Sequence, residues 1–142
     1  MRNLFTLSLT LITFIISAQT SPIGQWKTID DETGEEKSIV EIYEREGKLY
    51  GKVIKLFRKP PAEQDPICED CETDDPRYNK KIIGMEIITD MEKDGDEYEN
   101  GEILDPNNGK IYSCKFWREG NTLYLRGYWG FLYRTQEWVK YN

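Results

Sequence analysis

After an apolar run at its start, the chain alternates in twos. Short stretches rich in Val, Ile, Tyr, Phe and Trp are separated by Gly, Asp and Asn, and no helical apolar period of useful length follows the opening run. Eight strands are predicted: Trp26 to Ile29, Ser38 to Arg45, Lys48 to Phe57, Ile82 to Met91, Tyr98 to Leu104, Lys110 to Arg118, Thr122 to Trp129 and Arg134 to Tyr141. Turn chemistry stands between them, with Asp30-Asp31-Glu32-Thr33-Gly34, Glu46-Gly47, Lys93-Asp94-Gly95-Asp96, Asp105-Pro106-Asn107-Asn108-Gly109 and Glu119-Gly120-Asn121. The second strand is apolar on both faces, with Ile39 and Tyr43 on one and Val40 and Ile42 on the other, so alternation alone assigns it no inward side. Gly51 and Gly84 mark bends within strands.

Strands at this spacing favour a single antiparallel up-and-down barrel, which removes its own edges; a two-sheet β-sandwich is the alternative. Ile23-Gly24-Gln25-Trp26 opens the series. A glycine that bends the backbone before a large indole suits a first strand that plugs one barrel end, and a core tryptophan after a turn is the plainer reading. Closure sets the last strand beside the first. Lys140 is therefore the cation best placed to cover Trp26, with Arg126 and Arg134 behind it.

Met1-Arg2-Asn3, the apolar run Leu4 to Ile16 and the small residues Ser17-Ala18-Gln19 make residues 1–19 a secretory signal peptide, leaving residues 20–142 as one domain. A periplasmic or secreted location is expected, with no integral membrane segment after cleavage. The formal charge is −7, and loss of Arg2 makes the remainder more negative. An acidic protein repels phosphate backbones, which moves nucleic acid and anionic membrane surfaces down the list of partners.

Several segments together resemble an exported bacterial family known as domain of unknown function 2147. They are Gly24-Gln25-Trp26 with the Asp30 to Gly34 turn, Val40-Glu41-Ile42-Tyr43, Leu49-Tyr50-Gly51-Lys52-Val53, Asp65-Pro66-Ile67-Cys68-Glu69-Asp70-Cys71, Ile103 to Lys110, Leu125-Arg126-Gly127-Tyr128 and Trp138-Val139-Lys140. The resemblance implies a signal peptide and a small all-β domain, and brings no catalytic residue with it. The Gly-x-Trp opening is also similar to lipocalin-like barrels, in which a first-strand Trp packs against a basic residue of the last strand.

The stretch from Arg58 to Lys81 is irregular and rich in proline and acids, and it contains Cys68-Glu69-Asp70-Cys71. In an oxidising compartment a disulfide is favoured. Loop entropy assigns about 2 kcal/mol to a Cys68–Cys71 ring and about 4 kcal/mol to a Cys68–Cys114 link, whereas sequence proximity favours the short ring. A redox pair is disfavoured because neighbouring carboxylates raise a thiol pKa. A metal site is disfavoured because the chain has no histidine and the acids lack a calcium-loop spacing, so a solvated acidic loop is expected. Cys114 sits mid-strand as a buried thiol.

Without histidine no Ser-His or Cys-His nucleophile can be built, and acids such as Asp30, Asp31 and Asp105 fall in turns where Asp serves the backbone. No enzyme activity and no cofactor are expected. The aromatics remain. Tyr50, Tyr112, Phe116, Tyr124, Tyr128 and Trp129 are the candidate ligand-binding residues for a small hydrophobic molecule inside the barrel. The alternative is a filled core, with the cluster Trp129-Gly130-Phe131-Leu132-Tyr133 and the acidic loop docking an envelope protein.

Overall fold

The computed structural model describes Ile12 and residues 21–142; the rest of the expected leader lies outside the described residues. Eight antiparallel strands follow one another: β1 (Gly24–Ile29), β2 (Glu36–Arg45), β3 (Lys48–Leu56), β4 (Glu86–Asp94), β5 (Glu97–Asp105), β6 (Lys110–Glu119), β7 (Thr122–Trp129) and β8 (Leu132–Lys140). Each pairs with the next and β8 closes on β1, making one barrel rather than a sandwich. Closure pairs the edge groups that β1 and β8 would otherwise present. Glu46 and Gly47 both take positive φ, as the tight turn between twisted strands requires.

Register partners in an antiparallel sheet share a face, so the rows can be followed around the wall. Trp26 opposes Val40, and Val40 opposes Val53. Gly51 opposes Ile88, Ile88 opposes Ile103, Gly101 opposes Cys114 and Leu123 opposes Trp138. Trp26, Val40, Ile42, Leu49, Val53, Ile88, Met91, Cys114, Phe116, Leu123, Leu125 and Trp138 form one buried cluster. Its centre is tight: a Cβ on Gly101 would overlap the Met91 sulfur and the Thr89 carbonyl, and one on Gly51 would stand 3.0 Å from Ile88 Cδ1. Filled space, more than a bend, is what demands glycine there. A register shift between Ile39 and Val40 explains why both are buried although they are adjacent.

The segment between β3 and β4 forms a second layer. Ile87 and Ile88 are consecutive and both buried, which a two-faced strand permits only if something covers its outer side. Ile82, Met85, Cys68 and Cys71 join the same apolar cluster as Leu104. Cys68 and Cys71 are disulfide-bonded with Cα atoms 5.5 Å apart, and Cys114 is the free thiol. Backbone bonds knit the segment together: Cys68 N donates to Lys80 O at 2.8 Å, Asn79 N to Cys68 O at 2.9 Å and Ile82 N to Pro66 O at 3.0 Å. The expected solvated loop is thus exposed along most of its side chains, while Cys68, Cys71, Ile82 and Met85 are buried and its backbone is a bonded strap.

Most strand boundaries shift by a few residues from expectation, and two of the shifts change a connection. The run beginning at Ile82 does not enter the sheet until Glu86, because Gly84 takes φ 92° in a turn that returns Gly84 N to Val53 O at 2.6 Å. At the other hairpin β8 already begins at Leu132, leaving only Gly130 and Phe131 as the turn.

Asp75 and Arg77 fasten the strap to β4. Arg77 donates to Asp75 from Nε (2.9 Å) and Nη2 (2.8 Å), and from Nη1 to the Glu86 carbonyl at 3.1 Å. Hydrogen bonds from the Arg77 guanidinium hold the Asp75 carboxyl below its ordinary value, against an opposing effect of burial. A depressed folded-state pKa means the stabilisation is complete above the unfolded value near 3.8 and is lost as pH falls through the lower, folded one. Asp75→Asn is therefore expected to cost about 1–3 kcal/mol at neutral pH. In urea titrations the gap between it and wild type should narrow as pH falls below 3.8; a gap independent of pH would refute the role.

Candidate ligand site at the open end of the barrel

The lower end of the barrel, where β1 begins, is sealed from the sequence upward. Gly24 takes φ 136°, and the chain enters so that Gln25 N reaches Asn142 O at 2.9 Å. The indole of Trp26 is buried, with Nε1 donating to Pro22 O at 2.7 Å. Its cation is Arg118 of β6, with Cζ 5.3 Å from the ring centroid, Nε donating to Gly120 O at 2.7 Å and Nη1 to Ser21 O at 2.9 Å.

Lys140 does lie opposite Trp26 in register, but it is exposed at the end of β8 and is not the cation on the ring. Arg126 stacks elsewhere, on Trp117 and Tyr133, and Arg134 pairs with Asp31. The physical reason is desolvation. A guanidinium is weakly hydrated and its fork is satisfied here by two carbonyls, whereas an ammonium at the lip keeps its water. The signal for Arg118 was in the sequence: Cys114, Phe116 and Arg118 share one parity on one strand.

The six predicted ligand residues do not come together. Phe116 is fully buried in the packed middle, stacked on Tyr98 with ring centroids 5.6 Å apart. Tyr50 is on the outer wall, stacked on Tyr43 (6.2 Å), covered by the Arg45 guanidinium (3.8 Å) and donating to Asp90 at 2.8 Å. Tyr124 is outside as well, stacked on Trp117 at 5.5 Å, and Tyr128 leans on Tyr133 at 6.1 Å. Each of these three tyrosines stands an odd number of residues from an inward neighbour, Leu49 or Leu125, which puts it on the opposite face. Only Tyr112 and Trp129 share the inward parity near the upper end.

Burial changes along the inward rows. On β6, Phe116 and Cys114 are buried and Tyr112 is half-buried; on β7, Leu125 is buried, Gly127 half-buried and Trp129 exposed. On β8, Trp138 is buried, Gln136 half-buried and Arg134 exposed. The inward positions at this end are thus Ile103, Tyr112, Gly127, Gln136 and Arg134, with Trp129 beyond them, and all are more exposed than the packed floor. Gln136 Oε1 accepts from Trp138 Nε1 at 3.1 Å, and Asn108 Nδ2 donates to the Tyr112 hydroxyl at 3.3 Å. Arg134 forks onto Asp31, whose carboxyl it holds below the usual range, and reaches Glu32 at 3.4 Å, tying β8 to the first turn.

Away from these positions, Glu86 gathers Tyr43 and Arg45 on the outer wall, with Arg45 Nη1 at 2.9 Å. Burial acts to raise Glu86, but Arg45 and the Tyr43 hydroxyl outweigh it and lower its pKa; Tyr43 is pushed up to about 12 by burial and by Glu86. The three side chains are bonded to one another, Arg45 Nη2 also reaching Glu86 Oε1 at 3.1 Å. Among the described residues no three His, Cys, Asp or Glu side chains form a metal-holding group, and no helix is long and apolar enough to cross a membrane.

A closed, all-β, up-and-down barrel of eight strands, sealed at one end by a first-strand Trp and an Arg, is a lipocalin-like barrel. The chain belongs to the bacterial family described as "Uncharacterized protein conserved in bacteria (DUF2147)", whose model matches residues 24–140. Among solved structures it is similar to the protein HP1028 of the human pathogen Helicobacter pylori, described as belonging to the lipocalin family. The TM-score is 0.71 at 21% identity, over 87% of this chain and 85% of that one, a likeness of fold. No curated protein matches the chain.

Proposed function

We propose that this protein is an exported, periplasmic or secreted, non-enzymatic barrel that binds a small hydrophobic molecule at its upper end. The observation that carries this reading is the switch from buried to half-exposed along the inward rows of β6, β7 and β8, which sets aromatic and amide side chains above a packed floor. The lipocalin-like architecture supports it. The expected ligand site is therefore shallower than a full barrel cavity, since Gly51 and Gly101 leave no room lower down. The chain's lack of histidine and the burial of Cys114, which pushes its thiol pKa far up, both support a binding role over nucleophilic chemistry.

The test begins with native mass spectrometry and solvent extraction of protein recovered from its own cells, where a co-purifying apolar compound is expected. In parallel, 1-anilinonaphthalene-8-sulfonate should bind saturably at one site. A Cβ at Gly127 meets nothing nearer than Tyr112 Cβ at 3.7 Å, so Gly127→Val is expected to fold, checked by its melting curve, and to fill the inward face beside Tyr112. It should weaken the probe at least tenfold, on the order of 1.4 kcal/mol. A clean mass together with no saturable probe site would favour the second reading, an envelope interaction module, for which the filled middle of the barrel speaks.

A further inference from the structure

We propose that the β7–β8 hairpin is a membrane-docking finger that seats the upper end of the barrel on a phospholipid surface. This goes beyond the ligand-binding reading and stands without it. The hairpin is ordered by polarity along its length. At the apex, Phe131 is 93% exposed beside Gly130, whose φ of 61° makes the turn. One rung down, Trp129 (68% exposed) opposes Leu132 (57%). Next, half-buried Tyr128 opposes Tyr133, which is 63% exposed. Below these come the cations: Arg134 opposite Gly127, and Arg126 opposite Thr135. Arg126 is held 4.6 Å from the Tyr133 ring and donates to Thr135 Oγ1 at 2.8 Å, while Lys110 Nζ lies 5.2 Å from the Trp129 ring.

That sequence of layers, aliphatic and phenyl apex, amphipathic ring belt, cation row, is the polarity profile of a bilayer interface. Trp and Tyr favour the headgroup level, and long basic side chains reach back to phosphates. Two rungs at about 3.4 Å each, plus the apex, set the ring belt roughly 7–10 Å below the tip, within the ~5–10 Å to which interfacial elements bury apolar groups. The tip is convex and its large apolar residues are contiguous. A fluid acyl layer accepts such a shape without a matching pocket, whereas a protein partner would have to supply one. The charge is complementary as well: the chain as a whole is acidic, yet Lys110, Arg126 and Arg134 gather at this hairpin. Because Arg134 is already paired with Asp31, the apolar apex supplies most of the grip and the cations orient it.

The experiment is cosedimentation of the protein, in the form its cells produce, with vesicles of phosphatidylcholine and phosphatidylglycerol at about four to one. Bound protein is expected, with a blue shift in tryptophan emission and quenching by acyl-brominated lipid. Both signals should fall sharply in Trp129→Phe, since Trp26 and Trp138 are buried in the barrel and half-buried Trp117 lies far down the outer wall, opposite Tyr124. The double variant Phe131→Ser, Leu132→Ser should lower the vesicle partition coefficient at least tenfold with an unchanged melting curve, and its binding of the naphthalene probe is read separately. Absence of vesicle binding by the wild type, or equal binding by wild type and the double variant, would overturn the proposal. So would self-association that these substitutions abolish without any vesicle binding, which would assign the tip to a second copy of the chain.

Discussion

Trp26→Ala is expected to destabilise the barrel by about 3–5 kcal/mol, the cost of emptying a large buried aromatic site. The indole is 1% exposed and does three things at the lower end: it fills the floor, donates to Pro22 O, and takes Arg118 on its face. Its loss leaves a buried guanidinium with two carbonyls and no ring, so the cavity is bordered by a charge and collapses poorly. Urea denaturation followed by far-ultraviolet circular dichroism measures the loss. Arg118→Met should also destabilise, because Ser21 O and Gly120 O each lose a charged donor, at about 1.5–3 kcal/mol per bond. A double-mutant cycle isolates the direct Trp26–Arg118 pairing at about 0.5–2 kcal/mol. Additive losses would show that the two residues merely share a neighbourhood. Lys140→Ala, by contrast, is expected within about 0.5 kcal/mol of wild type, as for an exposed side chain.

The second large effect is expected at Gly109, where the β5–β6 turn meets the disulfide strap. This residue has φ 72°, and a Cβ there would overlap the Asp70 carbonyl. Gly109→Ala carries the left-handed backbone penalty of about 1–2 kcal/mol and the cost of overpacking against backbone, about 1–3 kcal/mol. A loss of about 2–5 kcal/mol is expected, and its location matters as much as its size. The strap covers the outer faces of Ile87 and Leu104, so hydrogen exchange should accelerate first at Cys68, Asn79 and Ile82, whose amides bond within the strap. Global loosening with the strap still protected would mean that Gly109 serves its own turn alone.

The strands and their turns were legible because both are local. A two-residue side-chain period and Gly, Asp or Asn at the corners suffice to place a strand, and seven hairpin or loop connections in series point to a meander. The faces were less legible. β2 is apolar on both sides through a bulge at Ile39, and β6 and β7 carry aromatics on both faces, so ring count does not distinguish lining from cladding. Tyr50, Tyr124 and Tyr128 were grouped with Phe116 for that reason. An inward reference such as Cys114, followed through its register partners Gly101 and Gly127, separates them at once.

Local chemistry along the chain thus dictates eight strands, their corners and a tryptophan placed to plug the first of them, because each depends on a few adjacent residues. Long-range closure chose Arg118 over Lys140 as the cation, laid the strap over β4 and β5, and set the exposed inward positions at one end only. Those outcomes depend on which residues a sheet brings together after it has curved through a full turn, and backbone register around a barrel is a property of all eight strands at once.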